Sequence, residues 1–295
     1  MKIGFIGAGR MGGPMVRFLV KAGYTVTVCD PDPNARERAR SHGAAEAPTI
    51  KACVMASDIV FSSLPDDKVL RHVTLDPDGV FASASAGLIY IDTSTVSAAA
   101  SADVAAGAAA RGVAYLRMPV SGNSNSAEVG QITALVSGPP EAWEKVKPAV
   151  QKFSAAQVYV GEAEQARYMK LVINLLVANS AILMAEALAL GRKGGLEWNT
   201  MLDGLTASAI GSPWLNAKAK LLKVRDFTPT FTPAQLSKDV DLMLQAGNEL
   251  GIPMPMTATT RQLMKATTGD GYGEEDFIAV VKLFERLSGL PTDSV

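Results

Sequence analysis

Residues 1–161 are predicted to form an α/β domain with a parallel sheet covered by helices on both faces, and residues 162–295 an all-helical domain. Two observations carry this reading. Short apolar runs alternate with helical stretches as far as Gly161, and no convincing strand follows it.

The elements come in order. "KIGFIG" is a short apolar strand, and a helical stretch runs from Met11 to Lys21. "YTVTVCD" is rich in β-branched residues, as strands are, and ends at Asp30. "NARERARSHG" reads as a surface helix closed by Gly43. "DIVFSSLP" is a strand stopped by Pro65, and "GLIYIDTST" is another, with an Ala-rich helix from Ser97 onward. "VAYLRMPV", "QITALVSG" and "AQVYVG" complete the strands. Helical patterns then cover 164–193, 199–209, 213–224, 233–250, 255–267 and 275–289. Gly194-Gly195, Gly251 and "GDGYGEED" punctuate them.

Composition narrows the function classes. The chain is 48% apolar and 19% charged, enough to build a core. A net charge of -1 offers no basic surplus for nucleic acid. Cys29 and Cys53 make no disulfide framework, and "MKIGFIGAG" is not a secretion signal. The uncharged run Leu171–Ala185 is too short to span a bilayer, so a soluble cytoplasmic protein without membrane contact is expected. His42 and His72 lie among polar neighbours. A Ser-His hydrolase has little to work with, and no carboxylate cluster marks a metal site.

"GAGRMG" (Gly7, Ala8, Gly9, Arg10, Met11, Gly12) follows a strand and opens a helix, the context that gives a GxGxxG its meaning. Gly7 permits the tight turn, Gly9 lets a pyrophosphate approach the backbone, and Gly12 allows close helix–strand packing. The free N–H groups of the helix start suit phosphate. Asp30 ends the second strand 18 residues after Gly12, where a carboxylate can accept from ribose hydroxyls and repel a 2′-phosphate. NAD is therefore expected, with NADP possible through Arg36 and Arg38. Farther on, "MPVSGNSNSAEVG" offers small donors that suit a carboxylate ligand, although composition alone also fits an ordinary loop before a helix near Ala127.

The stretch "ARYMKLVINLLVANSAILMA" places Lys170 and Asn174 four residues apart on one face of an apolar helix. A buried ammonium is costly without a partner or a purpose. Either the two sit at a helix end in water, or the cost serves chemistry.

"IGFIGAGRMGGPM", "IDTSTVS", "PVSGNSNSAEVG", "MKLVIN" and "SKDVDLMLQAGNELGIPMP", in this order, resemble the β-hydroxyacid dehydrogenase family, the group containing 3-hydroxyisobutyrate dehydrogenase and tartronate semialdehyde reductase. The resemblance covers the whole chain. It implies a Rossmann domain joined to a helical domain by a long interdomain helix, and a homodimer or homotetramer. It implies Lys170 as the catalytic lysine, accompanied by Asn174, and Ser121, Gly122 and Asn123 as the loop that holds the carboxylate of a small anionic hydroxy acid or aldehyde. Leu64, Pro65, Thr95 and Lys238 match cofactor-contacting positions. Partial desolvation would bring the lysine toward neutrality, where it exchanges a proton with the substrate hydroxyl while hydride passes to the nicotinamide.

Three departures stand out. Arg117 and Met118 replace an acidic residue and an alanine, Asn123 replaces the second glycine of "SGG", and Ile173 replaces one of two asparagines. They put the family's standard substrates in question. An imine reductase of the same fold, or a non-catalytic NAD-binding regulatory module, are the alternatives; the retained lysine counts against the first.

Overall fold

The computed structural model describes residues 1–292. Two compact units make up the chain, Met1–Val172 and Ile173–Val295, so the division falls inside a helix.

The first unit begins β1 (Lys2–Ile6), α1 (Gly12–Lys21), β2 (Thr25–Cys29), α2 (Pro33–Ser41), β3 (Ala45–Glu46), α3 (Ile50–Met55) and β4 (Ile59–Ser62). It continues with α4 (Asp67–Leu75), α5 (Val80–Ser83), β5 (Ile89–Asp92), α6 (Ala98–Ala109), β6 (Ala114–Arg117), β7 (Val120–Ser121), α7 (Ser124–Glu128), β8 (Ile132–Ser137), α8 (Pro140–Val150) and β9 (Ser154–Gly161). The sheet order is β3-β2-β1-β4-β5-β6-β8-β7, with β9 paired to β8.

The strands from β3 to β6 are parallel, for example Ile3 opposite both Val26 and Ile59. The parallel expectation stops there, because β8 runs antiparallel to β6 and β7. The connection over residues 122–131 explains this, being shorter than the dozen or so residues a parallel crossover needs. From β8 to β9 the chain has α8 as a crossover, and that pair is parallel. The run "VAYLRMPV" is two strands rather than one, broken at Met118-Pro119 because proline has no N–H for the ladder.

Alternation along the strands splits the core between the two faces of the sheet. Ile3, Phe5, Phe61 and Ile91 pack with Met15, Val16 and Leu19 of α1 and Val146 of α8. Val60 and Tyr90 pack with Leu70, Val73, Phe81 and Val104 on the other face. Helices α3, α4, α5 and α8 were not expected from the sequence. The first three are short, and α8 carries Pro148 inside it. Cys53 is buried in the core, and desolvation pushes its thiol up to about 12, so it stays protonated and inert at neutral pH. Both histidines are exposed, as expected.

Helix α9 (Gln165–Lys193) belongs to both units. The uncharged run inside it is shorter than a membrane span, but the whole helix of 29 residues is long and apolar enough to cross one by length and composition. Ala178, Ala181, Ile182, Ala185 and Leu188 are buried, as in a core helix of a folded domain. The second unit continues with α10 (Trp198–Ala207), α11 (Pro213–Lys223), α12 (Pro233–Glu249), α13 (Pro255–Thr267) and α14 (Val280–Leu287). The helix expected from residue 275 begins with a 3-10 turn, Phe277–Ala279. Asp276 sets this start, accepting from the Ile278 N–H and from the buried Lys218 ammonium at 2.6 Å. Arg192 and Arg225 both donate to the buried carboxylate of Glu285.

Candidate active site

Parallel strands bring their carboxyl ends to one edge, and the strand order reverses between β1 and β4. In an α/β sheet that switch point is where ligands bind. Gly7–Gly12 follows β1, Asp30 follows β2, Leu64 and Pro65 follow β4, and Thr95 follows β5. The sequence-named cofactor positions of the first unit therefore gather along one edge of the sheet.

Each glycine of the turn has a distinct physical reason. Gly7 has φ +89, and a Cβ there would lie 2.3 Å from the Ser63 carbonyl oxygen. A Cβ on Gly12 would lie 2.1 Å from the Gly7 oxygen and 2.8 Å from the Phe5 ring. Around Gly9 a Cβ would meet nothing within 4 Å. Two glycines are thus required by the protein's own packing, while the third faces open space beside the start of α1. That start has no side-chain cap and no acidic residue in its first turn. A positive dipole end facing an open approach fits a pyrophosphate. Ala8 is buried, whereas Arg10 is exposed and Met11 precedes the helix.

Asp30 is half-buried. Its Oδ2 accepts from the Ala8 N–H at 2.7 Å, and its Oδ1 from the Asp32 N–H at 2.8 Å. This locks the carboxylate against the glycine turn with lone pairs left over. Arg36 is committed elsewhere, donating to the Asp30 and Pro31 carbonyls and pairing with Glu46 at 2.6 Å. Arg38 lies 3.9 Å from Asp32.

In the loop after β7, Gly122 has φ +135, and a Cβ there would come 2.5 Å from Ser126 Oγ. Asn123 caps α7: its Oδ1 accepts from the Ser126 N–H at 3.0 Å, and Ser126 Oγ accepts from the Asn123 N–H at 2.8 Å. With its oxygen so engaged, the Asn123 side chain has only its NH2 to offer a ligand. Ser121 and Asn123 are half-buried and Gly122 is exposed.

Of the four departing residues, two turn inward. Met118 is fully buried in the core. Arg117 is buried, donates to Glu164 Oε1 at 2.8 Å, and lies over the Tyr115 ring. Their effect is on packing. Asn123 and Ile173, both half-buried, are the departures left to bear on substrate.

Lys170, in the first part of α9, is 7% exposed. It is therefore not at a solvated helix end. One turn earlier Arg167 is completely buried and ion-paired with Asp92 at 2.6 Å. In the second unit Asn174 is also 7% exposed and donates to Asp239 Oδ2 at 2.7 Å, which directs its own amide oxygen elsewhere. Asp239 is paired with Lys238 at 3.1 Å. Lys238 lines an open groove of about 670 Å³ between α12 and α13, together with Arg261 and Lys265.

Asp92, Arg167 and Asp239 escaped the sequence reading. Asp92 ends an apolar strand, Arg167 is masked in the apolar stretch that carries Lys170, and Asp239 follows a lysine in the polar stretch "SKDVD". The available signal was helical spacing: Arg167 and Lys170 are three apart, on one side of a largely apolar helix.

A nucleotide-binding α/β sheet followed by an all-helical unit, with a buried lysine on the helix they share, defines a nicotinamide-dependent oxidoreductase class. Residues 2–161 match the family model of the NAD binding domain of 6-phosphogluconate dehydrogenase, and residues 165–284 that of the NAD-binding domain of NADP-dependent 3-hydroxyisobutyrate dehydrogenase. The chain is 35% identical to 2-(hydroxymethyl)glutarate dehydrogenase of Eubacterium barkeri, over 98% of this chain and 97% of the other. It is 32% identical to the NAD-dependent L-serine dehydrogenase of Pseudomonas aeruginosa, over 98% and 99%. The structure of Mycobacterium tuberculosis 3-hydroxyisobutyrate dehydrogenase with L-serine superposes with a TM-score of 0.88 at 28% identity, covering 96% of this chain and 98% of that one. An imine reductase from Myxococcus stipitatus, at 20% identity and a TM-score of 0.66, shares the fold alone. The protein belongs to the β-hydroxyacid dehydrogenase family and is an NAD(P)-dependent oxidoreductase of small hydroxy acids or the matching semialdehydes.

Proposed function

We propose that the protein is an NAD-preferring dehydrogenase of a β-hydroxy acid, with Lys170 as the group that takes the hydroxyl proton. The observation that carries this reading is the burial of Lys170, 7% exposed, in the first part of α9. Ser121 and Gly122 hold the substrate carboxylate from the loop, together with the side-chain NH2 of Asn123, whose backbone N–H is given to Ser126. Asn174, with its NH2 given to Asp239, keeps its amide oxygen as an acceptor. The nicotinamide, when bound, supplies the hydride acceptor. The chain supplies the base, the carboxylate grip and a water-poor setting, and oxidation of the alcohol carbon yields the aldehyde as the lysine gains the proton.

Two features support NAD over NADP. Asp30 is fixed where it would repel a 2′-phosphate, and Arg36, the nearby cation best placed to attract one, is tied to Glu46 and two carbonyls. The named substrates of the two relatives, 2-(hydroxymethyl)glutarate and L-serine, are both β-hydroxy acids, which sets the class to assay. The expected result from a panel of such acids, run with each cofactor in parallel, is NADH formation with kcat/KM at least about tenfold above that with NADP. Equal or reversed values would overturn the cofactor assignment, and no turnover on any member would leave a binding module as the better reading.

We also propose a homodimer or homotetramer. Leu176, Leu183 and Leu190 recur seven residues apart on α9 and are exposed, a stripe that a second copy would cover. Light scattering after gel filtration should give a mass of at least twice that of one chain; a monomer at micromolar concentration would remove this assignment.

A further inference from the structure

We propose that Arg167 is a positioning residue for Lys170: its buried guanidinium fastens the turn of α9 that carries the lysine to the Asp92–Thr95 segment at the end of β5. This rests on the lysine reading above. Arg167 Nη2 donates to Asp92 Oδ2 at 2.6 Å and to the Tyr115 hydroxyl at 2.8 Å. Nη1 donates to the Ser94 carbonyl at 2.7 Å, and Nε to Ser101 Oγ at 3.1 Å. The other carboxylate oxygen of Asp92 accepts from Ser62 Oγ at 2.7 Å and Ser94 Oγ at 2.6 Å. Ser94 Oγ in turn accepts from the Leu64 N–H at 2.8 Å. One network therefore holds the turn bearing Lys170, the residue before Thr95, and Leu64 after β4.

Both side chains of the ion pair are 0% exposed. A buried pair of this kind is commonly no more stabilising than apolar residues of similar volume, so stability alone does not account for it. Its distinctive property is direction. The planar guanidinium reaches four acceptors on β5, α6, β6 and the segment after β5 at once, which a lysine ammonium on a flexible stem cannot do. Arg167 precedes Lys170 by three residues, so a shift or rotation of that turn moves the ammonium with it.

The test is a double-mutant cycle in the full-length enzyme. Arg167→Lys and Asp92→Asn are each combined with Lys170→Ala, and kcat is normalised to folded enzyme. Either single change should lower kcat by roughly 10- to 100-fold, the loss expected from misplacing a reacting group by an ångström. The KM for hydroxy acid should stay within about threefold. In the Lys170→Ala background the same changes should cost nothing further, because no base remains to be misplaced. A readout independent of turnover is the NMR signal of lysine-labelled protein without cofactor. The Lys170 resonance should move and broaden in Arg167→Lys while the other lysines stay put.

Losses that multiply in the double variants, an unmoved Lys170 resonance, or failure of both Arg167→Lys and Asp92→Asn to fold would each overturn the proposal and leave the pair a purely structural one. If Lys170→Ala itself turns over normally, the lysine mechanism fails and this proposal with it. If Lys170→Ala is inactive but the losses multiply, only the positioning role fails.

Discussion

Lys170→Ala should lower turnover by at least ~10²-fold while the protein stays folded, the lower range for loss of a general acid–base group. The side chain is buried, so alanine removes its packing as well as a base, and kcat is therefore normalised to folded protein. Lys170→Arg separates charge from proton transfer. The guanidinium keeps the positive charge but does not deprotonate, so it should be as inactive as alanine. Steady-state kcat with a competent hydroxy acid checks both. Turnover of Lys170→Ala within about threefold of the parent would remove the lysine from the mechanism.

The glycine turn should give the second large effect, and it divides stability from binding. Gly12→Ala puts a methyl group 2.1 Å from the Gly7 oxygen and against the Phe5 ring. Neither neighbour is a flexible side-chain tip, so α1 must lift from β1. The expected cost is about 1–3 kcal/mol of stability, the range for overpacking, together with weaker cofactor binding. Gly9→Ala meets nothing within 4 Å, so its melting temperature should match the parent. Its methyl group instead stands where the pyrophosphate must approach, and NADH affinity should fall at least about tenfold. Thermal melts beside NADH fluorescence titrations read the two separately. Unchanged NADH binding in Gly9→Ala would place the dinucleotide elsewhere.

What local rules could express was legible in the chain. Short apolar, β-branched runs set the strands, and helical spacing with Pro and Gly punctuation set the helices after Gly161 to within a few residues. The glycine turn and Asp30 were readable because their meaning lies in backbone sterics and in position at a strand end. The antiparallel β8 was missed because strand direction depends on how far a connection must travel, which a run of apolar residues does not encode. The same limit applied to Arg117 and Met118. Read as departures, they raised doubt about substrate; packed, one stacks on Tyr115 and pairs with Glu164, and the other fills the core.

Backbone geometry and hydrophobic period, both short-range, therefore determined from the sequence alone that this chain builds a dinucleotide turn on an α/β sheet and carries a lysine on an apolar helix. Only the tertiary structure decided that the lysine is buried, that Asp239 commits the NH2 of Asn174, and that a guanidinium three residues before the lysine pairs with a carboxylate seventy-five residues away in sequence. Such pairings depend on which charges share a desolvated space, and desolvation is a property of the folded chain.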